Sequence, residues 1–484
     1  MRLGDQARVA ATVALLLPSA LHAQESALER YVRMGIEANL ELRALALGAR
    51  RATAEWHEAR GHFLPALQVN ARYSRSVGGR SFVLPLGDLL NPVHAALNQT
   101  LADQGRAGGF PTIENQTIQF LRDREQDTRV RVTQVIWDPA LRNDVRSRRS
   151  RAEAGAAGVD ATRGRLVRDI KVAYYNYANA GRAVSILDGA VDLVRENERS
   201  SDVLFQASLV TRDRVHRARA ERLEVEQDRA RAETDRVLAA SYFNYLLDRA
   251  PDAPIELDEV DLTVPKAVRS GSLAATGASS ATAWIDSLAD AALGGRAEIR
   301  QLDHAAEAAE FGVQALRGAT LPSVALAADA GIQGRDYGFG SGDRFLMASL
   351  VVSWNITGWG AERSRVRQAS LELERIRTQR DNIARQIALE VESAARNGRL
   401  ALESLAAARE RVHEAASAFR LVSRRQDEGL ATALEFIDAR GSLTKAQLNE
   451  AITETELLIR LAELDYATGS HQTPVRSADE ETER

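Results

Sequence analysis

Two stretches of the chain keep a helical period for far longer than a globular domain needs. Between Gly360 and Gly429, small and aliphatic residues recur at three-to-four spacing. They run Val366, Ala369, Leu373 and Ile376, then Ile383, Ile387, Val391 and Ala394, then Leu402, Leu405, Val412, Ala416 and Phe419. No proline interrupts them, and Gly398 is the one internal glycine. Ala, Leu, Glu, Gln and Arg dominate, all strong helix formers. The pattern predicts one helix over 361–428, a rod of roughly 100 Å at the α-helical rise. A second proline-free run of the same character predicts another long helix over 139–208.

Period-two alternation marks the strands. Leu67-Gln68-Val69-Asn70-Ala71-Arg72-Tyr73 alternates apolar with polar, as does Arg129-Val130-Arg131-Val132-Thr133. Strands are therefore expected at about 66–76 and 128–137, and again at about 323–333 and 345–354. Before the first strand, Ala27, Tyr31, Met34, Ala38, Leu42 and Leu45 form the stripe of an amphipathic helix from Glu25 to His62. Residues 78–126 are a Gly/Pro-punctuated insertion with a short helix expected around Pro92–Leu101. Shorter helices are expected over 211–247 and 432–467. Residues 249–285 form a linker: an acidic extended piece, then a Ser/Gly/Ala-rich run.

These elements occur twice. Asn39-Leu40-Glu41-Leu42 is echoed by Arg296-Ala297-Glu298-Ile299, and Phe63-Leu64-Pro65 by Thr320-Leu321-Pro322. Thr211 and Tyr245 align with Thr432 and Tyr466. The chain thus divides into a first repeat over 24–248 and a second over 286–470, with a polar tail after residue 470. Each repeat reads helix, strand, strand, long helix, short helix. The fold class is mainly α with β. A long antiparallel α-helical barrel is expected, with a β-barrel that one chain cannot close.

The closure argument is physical. Four strands with one apolar face leave unpaired edge groups that hydrocarbon does not tolerate. A closed transmembrane barrel needs at least about eight strands, so several copies must contribute, and a trimer would bring about twelve. The alternation assigns Leu67, Val69, Ala71, Tyr73, Val130, Val132, Leu346, Leu350 and Val352 to the lipid face. Gln68, Asn70, Arg72, Arg129, Arg131, Thr133, Asp329 and Ser349 are assigned to a wet lumen. Trp137, Trp354 and Trp359 cluster where strand meets helix, as an interfacial belt does.

Composition and charge sharpen this picture. The 484 residues carry 63 Lys and Arg against 67 Asp and Glu, for a net charge of −4. No basic field is left over for nucleic acid. Cysteine is absent, which removes thiolate metal sites and disulfides. Residues 1–23 read as an export signal: Arg2 and Arg8, an apolar Val9–Leu17, and Leu21-His22-Ala23 before the cut. No later run is long and apolar enough for a membrane helix, so membrane entry would be by strands.

No catalytic constellation, cofactor site or metal set is legible. His57 and His62 bracket a zincin-like Glu58, but their spacing takes them off a common helix face. Gly338, Gly340 and Gly342 lie in a strand–strand loop without a helix N-terminus to hold phosphate. The polar features that remain lie at the two helix turns. Ser208, Leu209, Thr211, Arg212 and Asp213, with Arg214, form the first. Arg424, Arg425, Asp427, Gly429, Leu430 and Thr432 form the second.

These residues resemble the TolC-type outer-membrane efflux proteins. The prolines of Phe63-Leu64-Pro65 and Thr320-Leu321-Pro322 carry the likeness, with Ser353-Trp354 through Trp359-Gly360 and the two turns, in the right order and twice. The resemblance implies a homotrimer in the outer-membrane lipid, a helical tunnel across the periplasm, and docking to an inner-membrane pump through a periplasmic adaptor. It implies an exit duct of an efflux or type I secretion system, opened at the helix turns. The family often carries Tyr and Gly before each turn; here Phe205 and Ser208 stand before the first, and Gln426 and Gly429 before the second. The rival readings are a periplasmic adaptor, which lacks its β domains here, and a coiled-coil structural protein, which leaves the strands unexplained. Nothing in the residues names a cargo.

Overall fold

The computed structural model describes residues 25–265, 278–356 and 360–470. The export signal, the tail after residue 470 and Trp359 lie outside the described residues. The elements are α1 (Ala27–Ala38), α2 (Leu40–Gly61), β1 (Ala66–Arg75), β2 (Ser81–Leu84), α3 (Leu86–Asp103), β3 (Gln116–Gln119) and β4 (Arg124–Trp137). The long α4 (Pro139–Gln206) and α5 (Arg212–Leu246) complete the first repeat. The second has α6 (Ala278–Gly295), α7 (Ala297–Gly318), β5 (Ser323–Gly334), β6 (Arg344–Ser353), α8 (Ala361–Asp427) and α9 (Ala433–Thr468). The two long helices hold 68 and 67 residues. The chain forms two compact units.

Among the described residues, the helical unit comprises 25–49, 154–265, 278–303 and 378–470. Its largest core gathers Tyr31, Ile170, Tyr174, Phe243, Leu247 and Leu457, all nearly inaccessible. Tyr31 meets Phe243 edge-on with ring centres 5.0 Å apart. The acidic linker closes this core. Asp258 and Asp261 accept bonds from the backbone N–H groups of Ala27 (2.6 Å) and Leu28 (3.0 Å), which α1 itself leaves unpaired. Two carboxylates there also face the positive end of the α1 dipole. The hydroxyls of Tyr31 and Tyr174 accept the N–H groups of Glu256 and Asp258. Burial pushes the Tyr174 and Tyr175 phenols up, Tyr175 to about 12.

The expected first helix is broken at Asn39. Its side-chain oxygen caps α2 through Leu42 N–H at 3.0 Å, and its amide reaches Leu246 O at 3.4 Å. An apolar stripe continuing across the break hid it from periodicity.

The sheet unit comprises residues 50–153 and 304–377. Its four strands are antiparallel in the order β1-β4-β5-β6, so β1 and β6 are edges. β4 starts before the alternation becomes visible, because Arg124, Glu125, Gln126 and Asp127 are polar on both faces, yet all pair with β1. The insertion has its own architecture: a β2–β3 pair and the longer α3, with Pro92 inside it. The segment before β3 is zipped to α3 by asparagines. Asn91 exchanges two 2.8 Å bonds with the Ile113 backbone. Asn98 does the same with Phe110 at 2.8 and 3.1 Å.

Candidate functional site

The register of the sheet sorts its side chains. Directly paired residues share a face, so Leu67, Val132 and Ala328 lie together, as do Val69, Val130, Ala330 and Leu346. Leu326, Leu350, Val324 and Val352 extend the same face. It is open: Leu67 is 68% and Leu346 81% exposed.

The opposite face collects charges in rows. Gln68 stands across from Arg131, and Arg131 from Asp329. Asn70 faces Arg129, and Arg72 faces Asp127. Arg131 grips Asp329 with both arms of its guanidinium, at 2.7 and 3.0 Å. Arg129 pairs with Asp127 and lies over the Phe345 ring, 5.9 Å from its centre. Asp329 is 2% exposed despite facing this open surface, because Arg131 covers it. Such two-toothed pairs fix planar geometry as well as neutralising charge. Asp127 was missed in the sequence: its partner Arg129 lies two residues along the same strand, and the strand's start was hidden.

Trp137 and Trp354 are both about half exposed, and the Trp354 indole donates to Thr320 O at 3.0 Å. That bond ties the end of β6 to the turn leading into β5. A register shift between Val135 and Trp137 turns the end of β4 just before the long helix.

The two helix turns share a backbone design. Ser208 and Gly429 each take positive φ, 61° and 73°. Leu209 N–H returns to Leu204 O at 2.9 Å, and Leu430 N–H to Arg425 O at 2.6 Å, closing the ends of α4 and α8. The Arg425 guanidinium donates to Leu430 O at 3.1 Å. Leu209 and Leu430 project into solvent at 71% and 66% exposure. Thr211 donates its hydroxyl to Asp213, which lowers that carboxyl. Arg217 approaches Asp213 at 3.8 Å. Thr432 and Glu435 form a reciprocal capping box, and the Thr432 N–H, then its hydroxyl, lower the Glu435 carboxyl. Ser208, Arg212 and Arg424 are exposed. The side chain of Asp427 lies outside the described residues.

Between the turns and the core, sequence reasoning missed one pair. Arg440 on α9 is buried, and its guanidinium pairs with Glu221 on α5. Burial pushes Arg440 below its usual range. A lone Arg within a helix gives no pattern from which such a partner could be read.

Comparison with known proteins shows what the chain is similar to. Residues 288–470 match the model of the outer membrane efflux protein family. That match takes in the second repeat alone. No curated protein matches the chain. Among solved structures, the outer-membrane channel OprN superposes with a TM-score of 0.74 at 17% identity, covering 93% of this chain and 91% of its own. VceC of Vibrio cholerae gives 0.72 at 16%, covering 91% and 96%. MtrE of Neisseria gonorrhoeae, solved in its open state, gives 0.71 at 20%, covering 92% and 89%. At these identities the likeness establishes the fold, and it spans both repeats: an α-helical barrel with a β-barrel. The family matched over the second repeat is described as outer membrane efflux proteins.

Proposed function

We propose that the chain is the exit duct of a tripartite efflux or type I secretion system, working as a homotrimer. One observation carries this reading: the sheet has two unpaired edges, an exposed apolar face and a charged opposite face. Such a sheet is stable in hydrocarbon only when neighbouring copies pair its edges. Gln68, Asn70, Arg72, Arg129, Arg131 and Asp329 then line a water-filled lumen, while Trp137 and Trp354 sit at the interface. Mechanism here is geometry and field. The duct is passive, and opening means movement of the helix turns driven by a partner. A periplasmic adaptor bound to an inner-membrane pump would dock on the projecting Leu209 and Leu430, flanked by Arg212, Asp213 and Arg424. The insertion is an external loop or plug at the barrel mouth.

Two neighbouring residues test the facing. Leu350→Arg puts a charge on the lipid face and should cost about 2–4 kcal/mol near mid-membrane. Ser349→Arg, one residue away, should cost little. The heat-modifiable oligomer in outer-membrane fractions should disappear for the first and persist for the second; equal behaviour overturns the reading. For the gate, replacing Arg424, Arg425 and Asp427 by Ala should raise single-channel conductance in planar bilayers. Unchanged conductance places the constriction elsewhere.

A further inference from the structure

We propose that Glu153, His304 and Glu307 form a binding site for one divalent transition-metal cation, with Zn2+ the best match to the ligands. The site lies within the sheet unit, where α4 meets α7. His304 and Glu307 are three residues apart and share a face of α7, and Glu153 faces them from α4. The ligating atoms of the three all lie within 4.8 Å of one another. His304 Nδ1 is 3.5 Å from Glu153 Oε2 and 3.7 Å from Glu307 Oε2. Tetrahedral zinc with bonds of about 2.0–2.1 Å sets neighbouring ligand atoms about 3.3 Å apart. The two histidine distances are already within a few tenths of an ångström of that.

The donor set is more than a patch of acid. An imidazole with two carboxylates suits a borderline cation better than Mg2+ or Ca2+, which take oxygen ligands. Each carboxylate is also oriented by a further group. Arg149 donates to Glu153 Oε1 at 2.9 Å, leaving Oε2 for the metal. Ser150 donates to Glu307 Oε2 at 3.2 Å. Outer contacts of this kind hold ligands in place at metal centres. The helices themselves are clamped beside the site: the buried Ser147 hydroxyl donates to Ala308 O at 2.8 Å. His304, Glu153 and Glu307 remain partly exposed, so an ion can enter and a water can take the fourth position. A bound ion would join the long α4 of the first repeat to α7 of the second.

The test uses the full-length protein in detergent, without a histidine tag and stripped by chelator. Co2+ serves as the spectroscopic probe. One Co2+ per chain should give the visible bands of tetrahedral coordination, and Zn2+ should displace it. Zn2+ should also raise the melting temperature of the unaltered protein. His304→Ala and Glu307→Gln should each abolish the bands and weaken Zn2+ binding at least tenfold. Should His304→Ala fail to fold, Glu307→Gln decides. Bands that survive both substitutions, or their absence in the unaltered protein, overturn the proposal. So does a melting shift that follows pH but not the metal, which would mark a histidine–carboxylate ion pair only.

Discussion

The two repeats build the same short helix and end it differently. In the first, α5 is flanked by Ser208 and Asp248, both at positive φ, 61° and 53°. In the second, α9 is flanked by Gly429 and Gly469, at 73° and 71°. Left-handed backbone costs an ordinary residue roughly 1–2 kcal/mol and glycine almost nothing. The first repeat therefore carries strain at Ser208 and less at Asp248, since Asp tolerates this region better, whereas glycine meets it in the second. The junctions above them differ too. Asn39 gives one amide to the end of α5. Arg296, at the same place in the second repeat, gives its guanidinium to Tyr466 O and Ala467 O at 3.3 and 3.2 Å. It also holds Glu298 and Glu390 and stacks on the Tyr466 ring, 4.4 Å from its centre. The two repeats thus share a backbone design that different residues satisfy, and the second is the more firmly tied.

Removing those ties gives the largest expected effect. Arg296→Ala leaves the part-buried Glu298 with only the Tyr466 hydroxyl and strips two carbonyls of their donor, and should cost about 2 kcal/mol or more. Asn39→Ala loses a cap and should cost about 1 kcal/mol. Far-UV circular dichroism during heating of the detergent-solubilised protein compares the two; equal losses would erase the asymmetry. Acid sharpens the same contrast. Burial opposes the Glu298 charge, but the bonds from Arg296 and Tyr466 outweigh it and hold the carboxyl below its ordinary 4.5. Its contribution is complete above that ordinary value and fades as pH falls through the lower, folded one. The stability gap between wild type and Arg296→Ala should therefore be widest above pH 4.5 and narrow as pH falls below it.

Exchanging the residues at positive φ comes next. Gly429→Ala meets no neighbouring atom, so its cost is backbone strain alone, roughly 1–2 kcal/mol. Ser208→Gly should relieve strain, less the added freedom of the unfolded chain, for a net gain of up to about 1 kcal/mol. Amide exchange should quicken around 425–432 in the first variant and slow around 204–212 in the second. Opposite signs at the two turns would confirm the contrast; the same sign would abolish it.

The fold class was legible because its signals are long. Helical periods of nearly seventy residues, repeated, leave few alternatives, and the prolines before the strands fix where helix gives way to sheet. What stayed hidden depends on pairing across distance. Asp127 lies in a stretch polar on both faces, so only the ladder with β1 shows that it is strand. Arg440 needs Glu221 from another helix, and Asn91 needs the Ile113 backbone. Ser208 was visible as a departure from glycine, yet its positive φ shows that the turn kept its shape without the residue that makes it easy. His304 looked like one of eight scattered histidines, because its companion Glu153 comes from the other repeat.

The smallest difference lies in the caps of the two short helices, and it isolates local chemistry from strain. Thr432 and Thr211 occupy the same position, with nearly the same backbone angles. Thr432 accepts the Glu435 N–H at 3.2 Å, while the Glu435 carboxylate returns to the Thr432 N–H at 2.7 Å. Thr211 makes no such bond to its helix, since its hydroxyl is turned to Asp213 instead. Losing a cap costs about 1 kcal/mol, whereas losing an exposed side-chain contact costs far less. Thr432→Ala should therefore quicken amide exchange at Ala433–Glu435 by about fivefold, and Thr211→Ala should change the first turn of α5 little. Were the two to respond alike, Thr211 would be capping α5 in solution, and the second turn would hold no advantage in its cap, only in its glycine.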